Sequence, residues 1–188
     1  MTTSTQAKPD DAIDLLLRQH DRVRTLLSEV EASTGDQRRA AFDELRRFLA
    51  VHETAEELVI HPSTRRQGPE GENIADARLQ EENEGKDVLS SLEDLDVDDA
   101  EFETMFAEFT KAVSTHAENE ETEEFPLLRA RVSAEDLASM AKGLRAAEKL
   151  APTHPHPGAE SVTANTVLGP IASLVDRTRD AVRDAMGR

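Results

Sequence analysis

Two phrases of the sequence, HETAEELVIHP at 52–62 and HAENEETEEFP at 116–126, share the pattern H-x-x-x-E-E-x-x-x-[HF]-P. Each lies near the end of an apolar stripe of helical period, so an imidazole and a carboxylate fall where core residues are due. Buried without partners, such groups cost several kcal/mol each, on the order of what an unpaired polar side chain costs in an apolar interior. A chain carrying this motif twice must therefore fold so that the two helices satisfy one another, or satisfy a shared ligand.

The stripes define four long helices. The first spans about Asp11 to Ala32, with Ile13, Leu16, His20, Val23, Leu27 and Val30 in line. The second spans about Gln37 to Ile60, with Phe42, Leu45, Phe48, His52, Glu56 and Val59, and Pro62 is expected to stop it. The Gly- and Pro-containing stretch 63–73 reads as a loop. A third helix is expected from about Ile74 to Leu95, striped Ala75, Leu79, Glu82, Gly85, Leu89 and Leu92. The fourth covers about Ala100 to Glu124, striped Phe102, Phe106, Phe109, Val113, His116 and Glu120, with Pro126 closing it. Nothing alternates as a strand. Short connections between helices of this length predict an all-α, up-down-up-down four-helix bundle over residues 11–130.

Residues 1–10 read as a flexible N-terminus and 131–188 as a helical C-terminal extension. Ser133 looks like the N-cap of a helix running to about Leu150, and APTHPHPG at 151–158 is a Pro-rich linker. A last amphipathic helix from about Gly169 to Met186 carries Ile171, Leu174, Val175, Ala181 and Val182, to pack on the bundle or on a second subunit. His154 and His156 in THPHP resemble a weak metal site, but the Pro-rich linker explains them as well.

Every one of the four stripes carries a polar residue among its apolar ones: His20, His52 with Glu56, Glu82, and His116 with Glu120. In H-x-x-x-E the two side chains are one turn apart on one face, so one helix offers an imidazole and a carboxylate to the same point. Three imidazoles and three carboxylates are too many for one tetrahedral zinc and too nitrogen-rich for Mg²⁺ or Ca²⁺. They suit two first-row ions about 3.5–4 Å apart, bridged by Glu56 and Glu120. Iron is the first expectation and manganese the second. A ferritin-type site needs Glu-x-x-His on two helices, and no His here has Glu three residues before it.

His61 stands where the second repeat has Phe125, which reads as helix-end packing; an unwound last turn would instead bring it near the metals as a ligand or gate. Glu53, Glu57, Glu121, Glu123 and Glu124 read as solvated faces, and Lys86, one turn beyond Glu82, as a candidate proton donor.

These segments resemble the hemerythrin-like HHE cation-binding domains. The resemblance covers roughly residues 11–130 and rests on QHDRVRTLL around His20, HETAEELVIHP, EENEGKDVLSSL and HAENEETEEFPLLR. It implies a non-haem, oxo- or hydroxo-bridged diiron centre within the bundle, used for O₂ binding, for O₂, NO or redox sensing, for iron handling or for peroxide decomposition. The family's third helix usually supplies a histidine. Here that position falls on Glu82, or on Asn83 with a shift of one residue; Glu82 is preferred because it shares the stripe of Leu79, Gly85, Leu89 and Leu92. A carboxylate there adds negative charge, favours the diferric state and moves the expectation from O₂ carriage toward O₂, peroxide or iron chemistry.

The net charge of −17, from 39 acidic and 22 basic residues, disfavours nucleic acid and anionic membranes as partners. With no cysteine, disulfides, Fe–S clusters and thiolate zinc sites are excluded. No apolar run approaches a membrane span and no secretory signal is evident, so the chain is expected in the cytoplasm.

Overall fold

The structure is a computed structural model that describes residues 10–150 and 169–187. The segment before residue 10, the Pro-rich stretch with His154 and His156, and the side chains of Ile171, Leu174 and Val175 lie outside the described residues.

Helix α1, Ala12–Ala32, opens on a capping box: the Asp11 carboxylate accepts from the Ile13 and Asp14 backbone N–H groups, and the Asp14 carboxylate accepts from that of Asp11. Helix α2, Gly35–Arg65, is preceded by Thr34, and helix α3, Pro69–Glu93, by Gly68 with φ of 92°. Helix α4, Ala100–Asn119, runs into a π-helical turn, Glu120–Glu124, and then α5, Phe125–Arg131. The extension supplies α6, Ala134–Leu150, and α7, Gly169–Met186. The Asp136 N–H donates to Ser133 Oγ at 3.1 Å, so Ser133 caps α6 as its sequence suggests. All regular structure among the described residues is helical.

Two boundaries differ from expectation. Pro62 does not stop α2; the helix forgoes the one N–H bond that proline lacks and continues for three more residues, burying Ser63 and Thr64. The expected loop 63–73 shrinks accordingly. Close packing explains the continuation: a Cβ on Gly71 of α3 would lie 2.0 Å from the Thr64 carbonyl oxygen, so the end of α2 and the start of α3 touch backbone to backbone. Nor does Pro126 close α4. It sits near the start of α5 within an unbroken run of helical backbone, and the change of geometry comes earlier, at the π turn.

In the bundle α1 packs on α2, α2 on α3, α3 on α4, and α4 on α1. Helix α6 lies against α1 and α2, and α7 covers α6 and reaches α2. The apolar interior is divided in two. One cluster joins Val23, Leu27, Phe42, Leu45, Leu89, Phe102, Phe106 and Phe109 at the end formed by the α1–α2 and α3–α4 connections. The other joins Ile13, Leu16, Val59, Ile60, Phe125 and Leu128 to Leu137, Met140, Leu144 and Val182 of the extension. Each fully buried Leu, Ile or Phe contributes about 1.5–3 kcal/mol, so these two cores must offset the polar layer between them.

Candidate metal centre

Between the two cores lie His20, His52, Glu56, Glu82 and Glu120, none more than 5 % exposed, with His116 close to buried. The i, i+4 pairing works on both motif helices: His52 Nε2 is 3.2 Å from Glu56 Oε2, and His116 Nε2 is 3.6 Å from Glu120 Oε2. His20 Nε2 stands 3.2 Å from Glu120 Oε2 and 4.0 Å from Glu56 Oε1, joining α1 to both. All six residues singled out by the stripes therefore meet in one layer. Asn83 does not enter it; its amide donates back to the Leu79 carbonyl at 2.9 Å.

The imidazoles are oriented from behind. His20 Nδ1 is 2.8 Å from Glu121, His52 Nδ1 2.9 Å from the Gln19 side-chain oxygen, and His116 Nδ1 3.0 Å from Glu81. Glu121 is in turn held by Arg24, and Glu81 by Arg78. An Nδ1–H that donates to an acceptor leaves Nε2 with its lone pair directed inward, the arrangement found behind metal-bound histidines.

Sequence reasoning missed several members of the layer. Glu124, expected on a solvated face, is fully buried, and so, nearly, is Glu53. The π turn is one reason: its wider winding alters the register between Glu120 and Glu124 while keeping both inside. His61, for which residue order leaves both helix-end packing and a place near the metals open, is buried between two carboxylates, with Nε2 2.7 Å from Glu82 Oε1 and Nδ1 3.0 Å from Glu124 Oε1. Thr64 also donates to Glu124. The orienting residues Gln19, Glu81 and Glu121 left no sequence signal beyond their places beside the stripes. Glu123 is exposed as expected. Lys86 is buried, paired with Glu57 and 3.6 Å from Glu82 Oε2.

The electrostatics of the metal-free layer are adverse. Burial, with the negative charges of Glu120 and Glu82, pushes Glu56 well above the usual carboxylate range. Burial likewise raises Glu53, to about 8, against the pull of Lys86. His52 is lowered to about 3 by burial and by its neighbour His20. Burial opposes charge on His116 too, yet Glu120, Glu81 and Glu82 outweigh it and hold it up at about 9. Burial works against Lys86 as well, but Glu57, Glu82 and Glu53 raise it far above its ordinary value, so it holds its proton as a countercharge rather than giving it up.

Eight buried side-chain atoms of this layer make no hydrogen bond: Nε2 of His20 and His116, both oxygens of Glu56 and Glu120, and Oε2 of Glu82 and Glu124. Native interiors rarely leave such atoms unmatched, and here they cluster and face one another. The donor atoms fall into groups lying within 4.8 Å: His20, His52 and Glu56; Glu56, Glu82 and His116; His61, Glu120 and Glu124. Glu56 belongs to two of them, as a bridging carboxylate would. The residues fit bound cations.

Above the layer, His20, His52, Glu53, Glu82, Gly85, Val113 and His116 line a cavity of about 30 Å³. That is room for about two water-sized molecules. Nothing lies within 4 Å of a Cβ built on Gly85, so α3 leaves the cavity open at that point.

A helical bundle with an inward ring of imidazoles and carboxylates at its waist defines a cation-binding four-helix protein. Residues 11–128 match the model of the hemerythrin HHE cation binding domain, and the chain belongs to that family. A hemerythrin HHE cation binding domain-containing protein from Mycobacterium kansasii, solved by crystallography, has the same fold, with a TM-score of 0.67 at 20 % identity over 74 % of this chain and 86 % of that one. A DNA nickase from Nostoc sp. is 26 % identical over 136 residues, which are 72 % of this chain and 38 % of the relative. The chain thus spans less than half of that protein's length. No helix among the described residues is long and apolar enough to cross a membrane.

Proposed function

We propose that the protein is a non-haem diiron protein acting on O₂-derived species, with peroxide decomposition as its activity. The observation that carries this reading is the convergence of unpaired Nε2 and carboxylate atoms between two apolar cores, with every imidazole held from behind. His20, His52 and Glu56 would hold one iron, and His116 with Glu82 the other, with Glu56 and Glu120 shared; manganese is the second candidate. Iron bound here would supply two-electron redox chemistry toward an O–O bond.

The chain's own residues do the rest. The small cavity admits peroxide, O₂ or NO and leaves no space for a bulky organic substrate. Phe42, Phe102, Phe106 and Phe109 close one side against bulk water, and Lys86 and Arg78 balance the carboxylates around the site. A net charge of −17 supports small molecules rather than nucleic acid as partners, so the nicking activity named for the Nostoc relative is not carried over. The proposed setting is the cytoplasm.

One observation favours a second reading, a sensor without turnover. His52 donates to Gln19, and the Gln19 amide donates to Glu148 on α6, so a change at the metals has a hydrogen-bonded path to the extension.

Iron analysis and optical spectra of wild type and His116→Ala, before and after peroxide, test the proposal. Two irons per chain, near-UV charge-transfer bands that change with peroxide, catalytic O₂ release and loss of all three in the variant are expected. A spectrum that responds reversibly to O₂ or NO without peroxide turnover selects the sensor. An iron-replete preparation that retains no metal rejects both.

A further inference from the structure

We propose that His61 is a fourth imidazole ligand of the centre, delivered by α2 to the side that α3 serves with a carboxylate. The inference rests on the dimetal reading above and adds a ligand to it. Its basis is where an unbroken α2 points its side chains. At 100° per residue, position 61 lies half a turn around the helix from position 52. The bundle uses this opposition. His52 faces α1, where Gln19 holds its Nδ1, and His61 faces α3 and the π turn, where Glu82 and Glu124 hold it. One helix thus sends imidazoles to both flanks of Glu56. This is available only because α2 runs through Pro62; a helix ending there would leave His61 on a fraying terminus.

His61 also repeats the pattern of the other three histidines. In each, Nδ1 meets an acceptor on a different element: Glu121, Gln19 and Glu81 for His20, His52 and His116, and Glu124 for His61 at 3.0 Å. With Nδ1 so placed, Nε2 of His61 faces Glu82, itself a member of the donor layer, at 2.7 Å. The ring is 2 % exposed and the Glu124 oxygen left over, Oε2, is buried without a hydrogen bond. A residue serving only as packing needs neither carboxylate. The second repeat demonstrates the apolar solution, because Phe125 occupies the equivalent place and is buried in the core.

The test is His61→Phe in the full-length protein, since phenylalanine is the residue of the other repeat. Wild type and variant are loaded with iron, with ¹⁵N-labelled histidine, and the half-reduced centre is read by electron spin-echo spectroscopy, alongside iron binding by chelator competition. The variant is expected to show one fewer coupled imidazole and about 10–100-fold weaker retention of its second iron, the scale of losses around metal sites. An unchanged imidazole count with unchanged iron retention overturns the proposal. So does a third iron in wild type that His61→Phe alone removes, which would make His61, Glu120 and Glu124 a separate site. Should the variant unfold, His61→Gln keeps a donor toward both carboxylates and must show the same missing imidazole. Wild type and His116→Ala separate the layers of inference: an iron-replete wild type that retains no iron rejects the dimetal reading, whereas a normal His61→Phe beside a metal-free His116→Ala rejects only the role of His61.

Discussion

At the scale of single residues, the centre depends on groups that never touch the metals. Gln19, Glu81 and Glu121 fix three imidazoles through Nδ1, and replacing such partners weakens metal binding by about 10–100-fold in comparable sites. Glu81→Leu and Gln19→Leu are expected to do the same here, with helix content by circular dichroism unchanged and the loss visible in chelator competition. Gly85 makes a different prediction. Because a side chain at this position meets open space, Gly85→Leu should fold and load iron normally while narrowing the cavity, lowering the rate with peroxide at least tenfold. Equal rates in stopped-flow traces would show that ligands enter elsewhere.

At the scale of elements, the decisive feature is the contact between the end of α2 and the start of α3. Gly71→Ala would drive a methyl group to 2.0 Å from the Thr64 carbonyl, and the backbones must separate to admit it. Forced overpacking of this kind costs about 1–3 kcal/mol. Thermal melts should show that loss, and iron retention should fall with it, because Thr64 and His61 ride on the displaced turn. Pro62→Ala has the opposite sign in the metal-free protein: it restores an N–H to a helix interior where proline costs about 3 kcal/mol, and a melt no higher than wild type would contradict this account.

For the whole molecule, the polar layer sets the pH dependence of the metal-free chain. His116 holds its proton up to about 9 in the fold, against 6.5 as a free group, so its contribution is complete below pH 6.5 and lost as pH rises toward 9. Glu53 and Glu57 are both raised to about 8, each first by burial, and their ionisation costs stability as pH rises from 4.5 to 8. His52, lowered to about 3, acts only below pH 6.5, where further acid removes stability. Between pH 6.5 and 8 these shifts pull together, so the metal-free protein should melt at a lower temperature at pH 8 than at pH 6.5. A bound cation takes the place of protons on its ligands, so the metal-loaded protein should show a flatter profile and metal uptake should release protons. A metal-free protein that stabilises with rising pH across that window would contradict this electrostatic picture.

Much of this organisation was legible in the sequence, for a local reason. Helical periodicity and i, i+4 spacing are properties of one helix at a time, so the four stripes, the paired His52–Glu56 and His116–Glu120, and the inward positions of His20 and Glu82 follow from residue order. What residue order left open depends on contacts between helices. Pro62 and Pro126 resemble terminators, but burial of Ser63 and Thr64 against α3 carries α2 onward, and the π turn lets α5 begin at Phe125. The same two departures bring His61 and Glu124 together inside the bundle, although local reading leaves His61 open between helix-end packing and a place near the metals and puts Glu124 in solvent. Spacing along a chain can say which side chains share a face of one helix; which groups from different helices meet is decided by packing, because only the assembled bundle sets where each helix ends and what it touches.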